Sequence, residues 1–438
     1  MLKSISQPLP YTSSPALLAA QDLWLFISIT FVWPITKGLP SIILPFYPWR
    51  SGPLDELYPS IRNLWALTLH IILLFTQATF LILLLPSLFF GVPVPLQGWT
   101  PACILTVVGF VVGNSYFCVL LNGTKRRFES ISNPEWQEAW QKHDDERWIF
   151  INGIAAGDHW MQSNLDRLAL SVRRQIFGIH NKTQGILFDA FESIVQRTFG
   201  YATLDIRDAY TELVKVVEDD RYKKVVLILH SQGAIEGGLV LDWLFATTDR
   251  ELLKKLEVYT FGSAANHFSS PITDRKRGSR VIKHIEHYAN NGDPVCLGGI
   301  LHFRPLPKNG KAVYGDRQER EEIENLYVGK LFVRNGSGHQ MNGNYLDNFF
   351  CATTDDKGRL VRVEDDNEFV SSDLNEDLLA EYDIASKLSE KDEWDYCPKK
   401  KDPSKAKKGP VRKIKDVSRL WLYRNGRSPD DRKKSATR

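Results

Sequence analysis

Three residues in this 438-residue chain have the types and order of a serine nucleophile, an acidic partner and a histidine base. Ser231 lies in VVLILHSQGA, Asp293 lies in ANNGDPV, and His339 lies in NGSGHQ. A histidine that takes the serine proton, and a carboxylate that orients the histidine, would make the serine oxygen a nucleophile toward acyl groups. The residue types and order therefore predict acyl chemistry at a Ser, Asp and His site.

Other residues compete for these roles, and the sequence leaves them open. Asp316 and Asp347 are further candidates for the acidic partner, and His230 adjoins the candidate nucleophile. Ser231 is also a good residue type to begin a helix, and Asp293 fits an ordinary turn. No H-E-x-x-H, P-loop or G-x-G-x-x-G motif occurs in the sequence, so no metal and no cofactor is expected.

The candidate residues follow predicted strands in a chain where strands and helices alternate. Strands are predicted for WIFINGI, QIFGIHN, VVLILH, EVYTFG and VIKHIEHY, with helices near residues 160–173, 184–198, 204–219 and 232–247 between the first four. This alternation predicts an α/β fold with a mainly parallel sheet and helices on both faces. Functional residues in such sheets gather beyond the carboxyl ends of the strands.

The segment around Ser231 predicts a sharp corner between a buried strand and a helix. Such a corner exposes the serine oxygen, and it places the N–H of Gln232 at a helix start, where it can bind an oxyanion. The usual pattern for this corner is G-x-S-x-G, and here Leu229 replaces the first glycine. We therefore expect a nucleophile corner that departs from the usual pattern at one position.

Residues 1–127 form a predicted membrane region, because no Asp, Glu, Lys or Arg occurs between Asn63 and Thr124. Two apolar segments, about residues 64–85 and 102–121, are long enough to cross a bilayer as a hairpin of transmembrane α-helices. Arg62 precedes the hairpin and Lys125 follows it, which puts both flanks in the cytosol. The segment at about residues 23–46 is expected to be interfacial or re-entrant, with a third span left open.

The rest of the chain divides by composition. Residues 128–352 contain all the candidate residues, so a chain that starts near Phe128 is expected to fold and to act on a soluble ester. Residues 353–438 are rich in both charges and poor in apolar side chains, which predicts a disordered tail. The net charge of +3 gives no basic footprint for nucleic acid. Five scattered cysteines indicate neither a disulfide framework nor a zinc site.

Several segments resemble motifs of known families. LHSQGA, YTFGSAANHF and NNGDPVCLGGIL resemble motifs of the serine lipase and esterase branch of the α/β-hydrolases. WIFINGI, FGIHN, HSQG and GHQMNGNYL together resemble a family of mostly uncharacterised fungal proteins with such a domain behind N-terminal membrane helices, and this likeness covers roughly residues 60–350. The resemblance implies a catalytic triad and a backbone oxyanion hole formed by Ser231, Asp293 and His339 and by Gln232, Gly153 and Ile154.

The sequence and the resemblance together predict a membrane-anchored serine hydrolase that cleaves carboxylic esters of lipid or other hydrophobic acyl substrates. The same residues would serve a thioesterase or an acyltransferase, and a hydrolase-like scaffold without turnover is the alternative from another class. The expected partners are the lipid bilayer and the acyl substrate, and no nucleic acid. The expected location is the endoplasmic reticulum or another endomembrane, with the catalytic domain facing the cytosol.

Overall fold

A computed structural model of the chain describes residues 14–33, 38–84, 96–132, 142–274, 279–304, 327–356, 359–374 and 412–430. Its centre is a seven-stranded sheet with the strand order β1-β3-β2-β4-β5-β6-β7. These strands are β1 (Arg127–Glu129), β2 (Glu146–Ile151), β3 (Ile176–Ile179), β4 (Lys224–His230), β5 (Leu256–Phe261), β6 (His284–Asn290) and β7 (Lys330–Arg334). Only β1 runs antiparallel to its neighbour, and the other pairs are parallel.

The central strands are covered on both faces. Successive side chains of a strand point to opposite faces, and every residue of β4 from Val225 to His230 is buried. The same holds for all six residues of β5. Burial of both faces explains why these strands appear in the sequence as continuous apolar runs. The predicted α/β fold with a mainly parallel sheet is confirmed.

The helices of the domain connect the strands and cover the sheet. They include α4 (Asp158–Val172), α5 (Ile186–Phe199), α6 (Leu204–Glu218), α7 (Gln232–Thr247), α8 (Arg250–Leu253), α9 (Pro294–Gly298) and α10 (Ile300–Phe303). In α6 the buried residues Ile206, Ala209, Leu213 and Val217 recur every three or four positions, which is the spacing of one helix face. This face packs against α7, which is buried along most of its length.

Three helices that precede the sheet are long and apolar enough to cross a membrane. They are α1 (Pro15–Ile27), α2 (Ile61–Thr79) and α3 (Leu96–Asn122), and the candidate spans are Pro15–Val32, Ile61–Leu84 and Pro101–Asn122. The two predicted spans correspond to α2 and α3. The sequence predicted an interfacial segment at about residues 23–46. The first helix begins at Pro15, eight residues before the predicted start of that segment. Residues 34–37 of that segment lie outside the described residues.

Polar side chains tie these helices to one another and to the domain. Gln77 Nε2 donates to Asn114 Oδ1 across the hairpin at 2.8 Å and to the carbonyl of Gln184 at 2.6 Å. Asn122 Nδ2 donates to the carbonyl of Thr183 at 2.7 Å. The helical hairpin and the domain are therefore in direct contact through these polar groups.

Residues 38–63, which the sequence assigned to the membrane region, pack into the domain. Arg167 Nε donates to Ser51 Oγ at 2.7 Å, and Arg167 also pairs with Asp347 at 3.3 Å. The backbone N–H of Ser51 donates to Asp347 at 2.9 Å, and Glu56 accepts from the N–H of Asn342 at 2.9 Å. Buried polar groups of the domain thus find partners before residue 128, where the sequence placed the start of the domain.

This packing reverses the expectation that a chain starting at Phe128 folds. We expect that truncated chain to lose cooperative unfolding, because Arg167 and Asp347 would lose Ser51 inside the core and each lost buried partner costs about 1–3 kcal/mol. The measurement is near-ultraviolet circular dichroism during thermal unfolding in a neutral detergent. A chain that starts at Ser14 is the control. If the chain from Phe128 melts at the midpoint of the full chain, residues 38–63 are dispensable and the predicted boundary stands.

Residues 412–430, which the sequence placed in the predicted tail, pack against the sheet. Trp421 is 1% exposed, and its neighbour Tyr423 stacks edge-on against Trp148 of β2 at 4.9 Å. Arg419 Nε and the Tyr423 hydroxyl both donate to Glu257, at 2.9 and 2.8 Å. Glu257 lies near the amino end of β5. This segment therefore covers the amino ends of the strands, whereas the candidate site lies at their carboxyl ends. Residues 375–411 and 431–438 of the predicted tail lie outside the described residues.

Candidate active site

Ser231 lies at the corner between β4 and α7, as predicted. Its backbone has φ 58° and ψ −121°, a conformation that L-residues rarely adopt and that costs about 1–3 kcal/mol. The backbone N–H of Ser231 donates to the carbonyl of Phe261 at the end of β5. The surrounding sheet therefore holds the serine in a strained corner, which is the arrangement expected where a side chain must be presented to a reacting group.

Glycines around this corner allow the chain to approach closely. A Cβ at Gly153 would lie 2.4 Å from Ser231 Cβ, and a Cβ at Gly233 would lie 2.5 Å from the carbonyl oxygen of Ile151. A third glycine explains how the corner tolerates Leu229 in place of the usual glycine. A Cβ at Gly237 would lie 2.3 Å from Leu229 Cδ1, so the missing side chain at Gly237 makes room for the leucine.

The structure brings the three candidate side chains into one hydrogen-bonded row. His339 Nε2 lies 2.8 Å from Ser231 Oγ, and His339 Nδ1 lies 2.7 Å from Asp293 Oδ2. A carboxylate only accepts hydrogen bonds, so the matching neutral tautomer carries its proton on Nδ1 and accepts the serine hydroxyl at Nε2. In this arrangement His339 is in position to take the Ser231 proton.

Asp293 is completely buried, and several groups hold its carboxylate in place. The Tyr345 hydroxyl donates to Oδ2 at 2.5 Å, and the Val295 N–H donates to Oδ1 at 2.9 Å at the start of α9. Burial, followed by the charge of Asp293, raises the pKa of Tyr345 well above its usual value. Tyr345 therefore stays a neutral donor to the carboxylate. It lies six residues after His339, and sequence reasoning did not single it out.

The loop that carries His339 is fixed by groups outside the triad. The backbone N–H of His339 donates to the carbonyl of Ile42 at 2.9 Å. Ile42 lies in the segment that the sequence assigned to the membrane region. Asn290 Nδ2 donates to the carbonyl of Gly338 at 3.0 Å. Gly338 has φ +94°, a conformation that favours glycine. These contacts determine where the imidazole ring of His339 lies.

The competing residues take other positions. Asp347 binds Ser51 and Arg167 rather than His339, while Asp316 lies outside the described residues. His230 stacks on the His339 ring at 4.8 Å, and its Nε2 lies 2.9 Å from the carbonyl oxygen of His339. Burial, followed by the charge of His339, lowers the pKa of His230 to about 3. His230 is therefore a neutral packing partner of His339.

The predicted oxyanion-hole residues lie beside Ser231. Gln232 is the first residue of α7, where backbone N–H groups lack partners within the helix. Gly153 and Ile154 follow β2, and Gly153 is in contact with the serine. Gln232 and Gly153 therefore lie next to Ser231, and the role of their N–H groups as oxyanion donors stays a prediction.

Buried side chains that the sequence analysis did not assign hold this turn in place. Asn181 N–H donates to Asn152 Oδ1 at 2.9 Å, and Asn181 Nδ2 donates to the side chain of Gln232 at 2.8 Å. Asp189 accepts from the N–H of Ala155 at 2.9 Å. Both asparagines lie in the last residues of predicted strands, which was the available signal. Asp189 lies inside α5, and nothing in its sequence setting distinguished it from a surface residue.

No group of three or more His, Cys, Asp or Glu side chains within the described residues has an arrangement that could hold a metal ion. The chemistry proposed for this site is that of the serine, the histidine and the backbone N–H groups. A scan against protein-family models finds no match to the chain, and no curated protein matches it either. The functional interpretation accordingly depends on the fold and on the geometry of the site.

Proposed function

We propose that this protein is a membrane-anchored serine hydrolase that cleaves carboxylic esters of lipid or other hydrophobic acyl substrates. The observation that carries the proposal is the row of contacts from Ser231 Oγ through the His339 ring to the Asp293 carboxylate. The row lies beyond the carboxyl ends of parallel strands, where α/β proteins place their functional residues. This arrangement corresponds to nucleophile, base and orienting acid in that order.

The proposed reaction has two halves. His339 Nε2 accepts the Ser231 proton while Ser231 Oγ attacks the ester carbonyl, and the N–H groups of Gln232 and of the Gly153–Ile154 turn bind the developing oxyanion. The imidazolium then gives its proton to the departing alcohol, which leaves an acyl group on Ser231. A water molecule, activated by His339, attacks the acyl group and restores the serine. Asp293 keeps the histidine in the required tautomer and stabilises its positive charge.

The exposed apolar surface supports a hydrophobic substrate. Side chains of α2 and α3 that face away from the domain are apolar and exposed, among them Trp65, Ile71, Phe75, Leu105, Val112 and Val119. Helix α5 lies between this surface and the site. Its Asp189 accepts from the N–H of Ala155, next to the Gly153–Ile154 turn, and its Phe191 is 67% exposed. Contiguous exposed apolar patches on soluble surfaces are small unless they meet a membrane or a partner. A bilayer is the partner that this composition fits.

We also propose that the domain faces the cytosol, on the endoplasmic reticulum or another endomembrane. Arg62 at the start of α2 and Lys125 after α3 lie at the ends of the hairpin that join the domain. Positive residues next to membrane helices favour the cytosolic side. Accessibility of a tag placed after Asp430 to protease in sealed microsomes tests this orientation, because protection of the tag would contradict it.

The test of the proposed activity is covalent labelling with a fluorophosphonate, which reacts with activated serines. The full chain in detergent is incubated with the probe, with and without mixed lipid micelles, because Ser231 is only 3% exposed. Peptide mass spectrometry should place the adduct on Ser231, and heat-denatured protein is the control for unspecific reaction. An absent adduct, or one on another serine such as Ser263, would contradict the proposal and favour a scaffold without turnover.

A further inference from the structure

A cavity of about 290 Å³ is lined in part by Gly336 and Ser337 of the loop that carries His339. Its wall includes Arg50, Arg334, Gly336, Tyr47 and Asp347. Gly336 belongs to the His339 loop, and its carbonyl accepts the N–H of Gly292 at 2.9 Å. The cavity is thus attached to the candidate active site through the backbone, but none of the proposed catalytic side chains lines it.

Two arginines supply the charge of this cavity. Arg334 Nη1 donates to Asn290 Oδ1 at 3.2 Å, and Arg50 Nη1 lies 4.0 Å from the sulfur of Cys351. Neither guanidinium forms a salt bridge with a carboxylate of the residues that the structure describes. Burial lowers the pKa of Arg334, and the positive charge of Arg50 contributes to the same direction. Arg50 and Arg334 are two positive charges in one cavity, and neither forms a salt bridge with a described carboxylate. Such a pair favours the binding of an anion.

The one acid of the wall does not neutralise this pair. The Asp347 carboxylate accepts a hydrogen bond from Ser51 and forms a salt bridge with Arg167. Its negative charge is therefore balanced by Arg167 inside the core. The exposed Glu368 contributes an opposing effect on the pKa of Arg334, but it is not within ion-pairing distance. Gly336 also shapes the cavity, because a Cβ there would lie 2.3 Å from Arg334 Nη1. The wall is therefore built around a guanidinium that keeps free donors.

One aromatic side chain of the wall, Tyr47, is exposed and belongs to a short aromatic segment of the chain. Tyr47 is 72% exposed and Phe46 is 51% exposed. Tyr47 packs edge-on against Trp49 at 5.8 Å, and Trp49 packs edge-on against Tyr58 at 5.7 Å. Tyr and Trp are enriched where proteins meet the headgroup layer of a membrane. A negatively charged group on the surface of a bilayer therefore fits both the two arginines of the cavity and the exposed Tyr47.

We propose that this cavity binds a phosphate group, and that the phosphate is that of a lipid headgroup. A planar guanidinium can give two parallel N–H donors to phosphate oxygens, and Arg50 and Arg334 together offer two such groups. A phosphate bound there would hold the domain on the membrane beside the His339 loop. The inference concerns binding alone, and it stands whether or not Ser231 acts as a nucleophile.

The test uses the full chain in neutral detergent and follows its thermal unfolding midpoint. One arm adds inorganic phosphate, with chloride at matched ionic strength as its reference. A second arm adds micelles that contain short-chain phosphatidic acid, with short-chain diacylglycerol as its reference. We expect a saturable rise in Tm with the phosphate lipid, and an apparent affinity at least tenfold weaker in Arg50→Gln and in Arg334→Gln.

The matched control is Arg221→Gln, because Arg221 is exposed and forms a salt bridge with the nearby Asp219. Stabilisation by the lipid alone assigns the source to a headgroup, and stabilisation by both ligands supports a site for phosphate in general. No rise in either arm, or equal affinity in wild type and in Arg50→Gln, would overturn the proposal. Arg50 is exposed, so its substitution does not threaten the fold. Ser231→Ala should bind like wild type, which separates this test from that of hydrolysis.

Discussion

Replacement of Ser231 with alanine is expected to lower ester turnover by about 10⁶-fold, the loss seen when a triad nucleophile is removed from a serine hydrolase. The change removes Oγ and its contact with His339 Nε2, and it keeps the Cβ that packs against Gly153. Alanine has the same backbone restriction as serine at φ 58°. The loss should therefore appear in kcat with little change in the thermal unfolding midpoint.

Turnover of a short-chain soluble ester by wild type and variant provides the measurement. Ser263→Ala is the matched control, because Ser263 is also a buried serine and its hydroxyl lies 2.6 Å from that of Tyr327. A Ser231→Ala protein that keeps a substantial fraction of wild-type turnover would remove Ser231 from the proposed mechanism. Equal losses in the two variants would point to a structural effect instead.

Replacement of Asp293 with asparagine is expected to reduce kcat by about 10⁴-fold. The carboxamide nitrogen donates a hydrogen bond to His339 Nδ1, so the neutral ring carries its proton on Nε2 instead. Nε2 can then no longer accept the serine proton. The fold should persist, since asparagine is as good a helix N-cap as aspartate and can keep the bond from the Val295 N–H. Oδ1 of the carboxamide can also accept hydrogen bonds.

The control for this variant is Asp249→Asn, because Asp249 caps α8 in the same way and accepts from the Glu251 N–H at 2.9 Å. Its turnover should equal that of wild type. The ratio of kcat to KM should fall with kcat in Asp293→Asn, as expected for an interaction made in the transition state. A correctly folded Asp347→Asn variant that loses more turnover than Asp293→Asn would transfer the role of orienting acid to Asp347.

The sequence by itself was sufficient to predict the α/β fold and the three side chains that meet at the sheet edge. Strands such as β4 are buried on both faces, and burial of this kind leaves a local apolar signal that needs no partner to be recognised. Ser231 follows such a strand, Asp293 follows the predicted strand VIKHIEHY, and His339 follows the apolar segment LYVGKLFV. Because parallel strands end at one edge, position along the chain was enough to predict that the three side chains lie close together.

Only the tertiary structure decided which distant segments complete the domain and support the site. Ser51 binds Arg167 and Asp347, the Ile42 carbonyl binds His339 N–H, and Tyr423 binds Glu257. These are contacts between single polar groups far apart in sequence, and they leave no periodicity in either segment. An isolated serine or a charged stretch with one Trp is typical of loops and solvated tails. Its partner becomes evident only when the sheet has placed the two segments together.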